Sequence, residues 1–437
     1  MKTLLVAVLA LVVLGLIAIA PIVLVPVAKT SAQQLVASDF TQDGGKSEYL
    51  VRLADCAPCH TAEGRKPFAG GLAIPSPFGT IWSTNITPDR ETGIGSYTLD
   101  DFRAVLYDGL RKDGAHLYPA MPYENYRKIS ENDVRALYHY FMNKVEPVSS
   151  PVRQTQLSFP FNQRWGIRAW NWFALNEARF KPRYNDLVLD RGAYIVETLG
   201  HCGACHSPRK FFLAQDGTDA TAQGFLTGGE IDGWPVPSLR GPASAATKWS
   251  AEELRAFLAT GRNNHSGVTG EMTPVVQDSL QYLTGKDLDA IVAYLRHISY
   301  AAEQPPARID DRSKRTIALL NSADPSMDLG PRLYLDNCNG CHFTNGKGAR
   351  GVFPELDGNP IVVARQSGGL IDVILKGARM PSTESRPMRL AMPAFGQRLS
   401  DKEIADLATF LRQSWSNNAG PVDKTAVAVR RQKLASH

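Results

Sequence analysis

All six cysteines of the 437-residue chain fall in three C-x-x-C-H pentads, Cys56 to His60, Cys202 to His206 and Cys338 to His342. Two thiols three positions apart can each add to a vinyl group of one porphyrin, and the histidine that follows is then held beneath the iron. The chemistry this suits is covalent attachment of c-type haem. Cys56, Cys59, Cys202, Cys205, Cys338 and Cys341 would be the attachment thiols, with His60, His206 and His342 as proximal ligands. A Cys-x-x-Cys pair alone also serves zinc and thioredoxin-like redox sites, and secreted domains pair cysteines as disulfides. Against zinc stands the lack of further ligands at zinc spacing. Against a disulfide framework stands the length of the chain.

An iron held by one histidine needs a sixth ligand or an open position, and the choice separates electron transfer from catalysis. A thioether favours Fe(II) and leaves no room for substrate. Met121, Met272 and Met392 precede Ser130, Thr284 and Ser400 by nine, twelve and eight residues, and each of those hydroxyl residues reads as the cap of a final helix. This regularity makes the three methionines the expected sixth ligands. Met380 is the rival in the third copy. His116 and His265 lie near Met121 and Met272, so bis-histidine ligation is the competing reading for the first two copies. Met142, Met327 and Met388 read as packing or surface residues. His139 and His297 read likewise, and His201 stands too near Cys202 to reach the far face of the same porphyrin.

The elements that must position these groups recur three times. A tyrosine-bearing helix precedes each pentad, with Tyr49, Tyr194 and Tyr334. A second helix follows, opened by Thr98 and Asp101 and closed by Gly109, then by Ser250 and Gly261; in the third copy it runs from Leu370 to Gly377. The final helices carry apolar residues at steps of three and four: Val134, Leu137, Tyr138, Phe141; Leu288, Ile291, Val292, Leu295; Ile404, Leu407, Ala408, Leu411. After the second and third pentads, Pro237 and Pro354 open turns whose backbone carbonyls can accept the proximal imidazole proton. In the first copy Trp82 to Thr87 stands instead, with hydroxyls and an amide suited to haem propionates.

Apolar residues make up 43% of the chain and charged ones 21%, an ordinary globular balance, and the net charge of +5 comes without long basic runs, which argues against nucleic-acid binding. Between Lys2 and Lys29 lies an uncharged apolar run, so residues 1–32 read as a signal sequence or an N-terminal membrane anchor. Either reading implies export, which c-type haem attachment requires. The remaining divisions are a first domain at 44–148, a Trp/Arg-rich linker at 149–185, a second domain at 186–305, a linker at 306–325, a third domain at 326–416 and a solvated basic tail at 417–437. Trp165, Trp170 and Trp172, interleaved with Arg164 and Arg168, read as packing between the flanking domains in preference to a membrane or partner surface.

The pentads, the phrases STNITPDRETGIG (83–95) and YPAMPY (118–123), and MPAFGQRLSDKEIADLATFLRQSW (392–415) resemble the tri-haem cytochrome c subunit of membrane-bound alcohol, gluconate, sorbitol and fructose dehydrogenases. The resemblance implies an all-α chain of three tandem cytochrome c-like domains carrying three covalent haem c groups, with no substrate chemistry of its own. It implies the same ligands, His60 with Met121, His206 with Met272 and His342 with Met392. It also implies a place on the periplasmic side of the bacterial cytoplasmic membrane, a catalytic dehydrogenase subunit (quinoprotein, flavoprotein or molybdenum enzyme) as electron donor, and ubiquinone as acceptor. The competing functions are a haem enzyme with an open site, such as a peroxidase, and the cytochrome subunit of a terminal oxidase or a molybdenum hydroxylase.

Overall fold

The computed structural model describes residues 27–32, 47–300 and 310–435, with scattered residues of the first 26. Most of the stretch read as signal or anchor therefore lies outside the described residues. Among the described residues, no helix is long and apolar enough to cross a membrane. The chain forms two compact units. One holds residues 1–182 with 197–201 and 210–218; the other holds 183–196, 202–209 and 219–437.

The first unit contains α1 (Ser47–Leu53), α2 (Leu99–Asp108), α3 (Glu131–Asn143) and α4 (Gly166–Ala174). Helix α2 starts in a full capping box: Asp101 N donates to Thr98 Oγ1 at 3.2 Å and Thr98 N donates to the Asp101 carboxylate at 3.0 Å. It stops at Gly109, whose left-handed φ of 58° a side chain would strain. The apolar stripe of α3, Val134, Leu137 and Phe141, is buried, and α1 packs on this helix through its own buried Leu50, Val51 and Leu53. Arg103 on α2 reaches Glu131 at the start of α3 with two bonds, at 2.9 and 2.7 Å, in a nearly dry site. A small antiparallel sheet, β1 (Ala73–Ser76), β2 (Gly79–Trp82) and β3 (Gln156–Leu157), completes the unit.

The second unit holds the second and third copies together. In one, α5 (Leu187–Tyr194) packs on α7 (Gly285–Ile298), with α6 (Ala251–Thr260) beside it. After α8 (Asp311–Ser322), α9 (Leu329–Asn337) packs on α11 (Asp401–Gln413), with α10 (Gly368–Lys376) alongside. First helix against last helix is thus the pairing in all three copies. Glycine permits it: a Cβ on Gly192 would fall 2.0 Å from Ala290 O, and one on Gly330 would fall 2.8 Å from Asp406 O. Short antiparallel pairs join β4 (Gly229–Ile231) to β5 (Trp234–Val236), and β6 (Ala378–Arg379) to β7 (Ala391–Met392).

The chain is mostly helical, with short strand pairs beside the helices. Three features depart from expectation. The basic tail is not solvated: α12 (Lys424–Ala435) packs on α10 and α11, buries Val427, and pairs Arg430 with Asp372 and Arg431 with Asp401. The linker at 306–325 contains α8, whose Leu320 joins the third copy's core. Finally, α5 runs on into a π-helical turn, Ile195–Leu199. Tyr194 stands eight residues before Cys202, whereas Tyr49 stands seven before Cys56, and a π turn is how a helix absorbs one extra residue.

Candidate haem-attachment sites

Each pentad forms a short helical turn, Cys56–His60, Gly203–His206 and Asn339–His342. In each, the Nδ1 of the histidine meets a backbone carbonyl: Thr84 O at 2.7 Å from His60, Pro237 O at 2.7 Å from His206, Pro354 O at 3.0 Å from His342. A carbonyl only accepts, so Nδ1 carries the proton and Nε2 keeps its lone pair for a metal. Burial pushes each imidazole's pKa below its ordinary value, and the carbonyl bond pulls it partly back. A neutral ring with Nδ1 tethered is the form that ligates iron.

A second device backs the first. Gly70 N donates to His60 O at 2.8 Å, Gly228 N to His206 O at 2.8 Å, and Gly348 N to His342 O at 3.2 Å. All three glycines have positive φ, of 66°, 98° and 58°. Each also lies against the peptide that supplies the acceptor carbonyl. An added Cβ would come within 2.4 Å of Thr84 C, 3.3 Å of Ser238 N and 2.6 Å of Pro354 O, respectively. The glycine therefore fastens the main chain on both sides of the imidazole. Strand pairs β1–β2 and β4–β5 end just before Thr84 and Pro237, and an isolated bridge, Ala349 to Phe353, does the same before Pro354.

The thiols fit the same group. All six cysteines are free, which removes the disulfide reading. Burial pushes the Cys338 thiol up to about 12 and raises that of Cys56 further. Two buried polar atoms without a hydrogen-bond partner adjoin the expected ligands along the chain: Asn339 Oδ1 inside the third pentad and Thr273 Oγ1 next to Met272. A polar-edged group in these sites would give them partners.

The comparisons agree with this geometry. Residues 327–415, the third copy, match the family model described as Cytochrome c. Over 86% of its length the chain is 42% identical to the cytochrome c subunit of alcohol dehydrogenase (quinone) of Gluconobacter oxydans, covering 79% of that protein. It is 40% identical to the gluconate 2-dehydrogenase cytochrome c subunit of Pantoea cypripedii, covering 86% of each chain. The fructose dehydrogenase cytochrome subunit of Gluconobacter japonicus is 38% identical over 87% of this chain and 81% of its own. The chain belongs to this family of dehydrogenase cytochrome c subunits. Its cofactor is accordingly covalently bound haem c.

In this cytochrome, Met121, Met272 and Met392 are all half-buried: Met121 in the turn before a helix at Tyr123–Tyr126, Met272 as the first residue of a helix ending at Asp278, Met392 at the end of β7. Met380 is buried, its Cε so close to Gly267 that an added Cβ would fall 2.2 Å away. The buried His116 ring sits beside Asn171 at 3.5 Å, and burial lowers its pKa. His265 bonds Glu355 at 3.2 Å and stacks on Trp249.

The carbonyls of Pro237 and Pro354 stand where the sequence placed them. Thr84 was read differently, as part of a segment facing propionates. The structure instead turns that segment inward: Asn85 Nδ2 donates to Val148 O at 2.8 Å, the Thr87 hydroxyl donates to the same oxygen at 3.3 Å, and the Thr84 carbonyl does the work of the two proline carbonyls. The glycines escaped sequence reading altogether. They follow their histidines by ten, twenty-two and six residues, with no common spacing to reveal them.

Proposed function

We propose that the chain is a tri-haem cytochrome c which takes electrons from a periplasmic dehydrogenase subunit, oxidising an alcohol, polyol, sugar acid or aldehyde, and delivers them to ubiquinone in the cytoplasmic membrane. Haem c supplies the one-electron Fe(III)/Fe(II) couple when attached. The polypeptide's part is to hold and orient it. His60, His206 and His342 would bind iron through Nε2, with Met121, Met272 and Met392 opposite, leaving no position for substrate. The three domains would be residues 44–148, 186–305 and 326–416.

The observation that carries this reading is the threefold recurrence of the tethered histidine, with a glycine behind each, around three pairs of free thiols. The relatives' names support a dehydrogenase partner. The test is isolation of the protein from solubilised membranes of its own cells. Intact mass should exceed that of the polypeptide by three haems, and a dehydrogenase subunit should copurify and reduce them on addition of its substrate. Fewer than three haems, or a carbon monoxide-binding ferrous iron in the native protein, would overturn it.

A further inference from the structure

The imidazole of His265, read in the sequence as a rival ligand of the second copy, is held against the third. Its turn is closed by the Arg262–Gly267 bridge and by Asn263 Oδ1, which accepts from His265 N at 2.9 Å and from Ser266 N at 2.8 Å. The ring stacks on Trp249, with centroids 5.9 Å apart and 11° between the planes. Its Nδ1 meets Glu355 Oε1 at 3.2 Å, and the side chain keeps 38% of its surface open to water. A fixed ring with a wet edge can exchange a proton without moving.

What this histidine touches is the fastening of His342. The peptide unit between Pro354 and Glu355 is bonded on both sides: its carbonyl accepts from His342 Nδ1 at 3.0 Å, and its N–H donates to His265 O at 2.8 Å. The Glu355 side chain then returns to the His265 ring, so the two histidines stand at the ends of one hydrogen-bonded series. Lys347 Nζ lies 3.5 Å from Glu355 Oε2 and 3.1 Å from Asp357 Oδ2, and the next residue is Gly348, whose N–H holds His342 O. On the near side, Glu253 of α6 accepts from Asn264 N at 2.9 Å, and Arg386 reaches Arg262 O at 3.5 Å at the start of the same turn. Among these charged neighbours His265 is the group whose ordinary pKa lies close to neutrality. The Glu355 bond raises it against partial burial, with Glu253 assisting and Lys347 opposing.

We infer that His265 is a positioning residue for the third haem: its proton sets the potential of the iron that His342 holds, and reduction of that iron draws a proton onto the ring. When one electron from the dehydrogenase converts Fe(III) to Fe(II), the site loses one unit of positive charge. A solvent proton then adds to His265 Nε2, in a share that is greatest near the ring's own pKa, and reoxidation releases it. The protonated ring favours Fe(II) through its charge. It also draws electron density from the shared peptide, whose carbonyl then holds the Nδ1 proton less tightly and leaves the proximal imidazole a poorer donor to Fe(III). Both effects raise the potential in acid. The inference deepens the electron-transfer reading above and rests on His342 holding a haem.

The test is spectroelectrochemistry of the haem-loaded full chain between about pH 5.5 and 8.5, with the third haem's wave identified as the one that Met392→Ala displaces. In the wild type that wave should fall as pH rises. For an about threefold difference in proton affinity between the two iron states, as suits a partly wet site, the fall totals roughly 28 mV at about 59 mV per tenfold. His265→Gln, neutral throughout, should abolish the fall and leave haem absorption unchanged, while Glu355→Gln should move it to lower pH. An equal fall in His265→Gln overturns the inference, as does a fall confined to waves that Met392→Ala leaves in place. Should His265→Gln misfold, Glu355→Gln decides, and a fall at the wild-type pH overturns the inference. Absence of haem from the third pentad, read by intact mass, would overturn the haem reading and this inference with it; a pH-independent third wave overturns this inference alone.

Discussion

Replacing Gly348 by alanine tests whether the main chain around His342 is held as argued. Two costs arise. At φ 58° the residue occupies the left-handed region, which costs a non-glycine residue about 1–2 kcal/mol. The new Cβ would also lie 2.3 Å from Phe353 O and 2.6 Å from Pro354 O, both backbone atoms, so the 349–354 turn must move. That turn holds the bond from His342 Nδ1 to Pro354 O at 3.0 Å and the Ala349–Phe353 bridge, and weakening one or two such bonds costs about 1 kcal/mol each. The expected loss is therefore about 2–4 kcal/mol. Gly358→Ala is the control: φ is 75°, yet nothing lies within 4 Å of its Cβ, so only the conformational cost of about 1–2 kcal/mol applies. Denaturant unfolding should separate the two variants. A looser Nδ1 bond also makes the imidazole a weaker donor to Fe(III), so the potential of the third haem should rise in Gly348→Ala, by on the order of 40 mV for about 1 kcal/mol in a one-electron couple. Spectroelectrochemistry reads that shift. If the two alanine variants match in stability and in potential, the glycine does not fasten the histidine and the reasoning is wrong.

Met392→Ala should abolish the long-wavelength sulfur-to-iron absorption of one haem, whereas Met380→Ala should leave it and lower stability by about 2 kcal/mol or more through the cavity it opens. Arg191→Ala removes from the Asp287 carboxylate two bonds at 2.7 Å in a site about one-tenth exposed; unfolding should show a loss of about 1.5–3 kcal/mol. His265 has its pKa raised by the Glu355 hydrogen bond, with Glu253 assisting and Lys347 opposing. Its contribution is thus complete below about pH 6.5, the unfolded value, and fades as pH climbs through the raised folded value. The pair is partly exposed, so the effect should stay under about 1 kcal/mol, and His265→Gln should flatten the pH dependence of unfolding.

The legible parts of the sequence were those written in side chains at short range. Ser130, Thr284 and Ser400 each accept from the N–H three residues on, as their spacing to Asp133, Asp287 and Glu403 foretold. Gly109 and Gly261 end their helices in the left-handed conformation. Strands of two to four residues are too short to show alternation, so they were not legible. Helix α12 has only three large apolar residues, Val427, Val429 and Leu434, and its arginines, which read as solvated, are paired with Asp372 and Asp401. Trp165 and Trp172 were visible as composition, but that they face outward depends on the packing of Ile167 and Ala174.

The acceptor for the proximal imidazole is a carbonyl of threonine once and of proline twice, and its side chain takes no part in the contact. Substitutions at positions 84, 237 and 354 should therefore leave the contact in place provided the peptide plane keeps its orientation. Engineers wishing to retune one iron without touching its neighbours would do better to reshape a turn than to exchange a residue that touches metal.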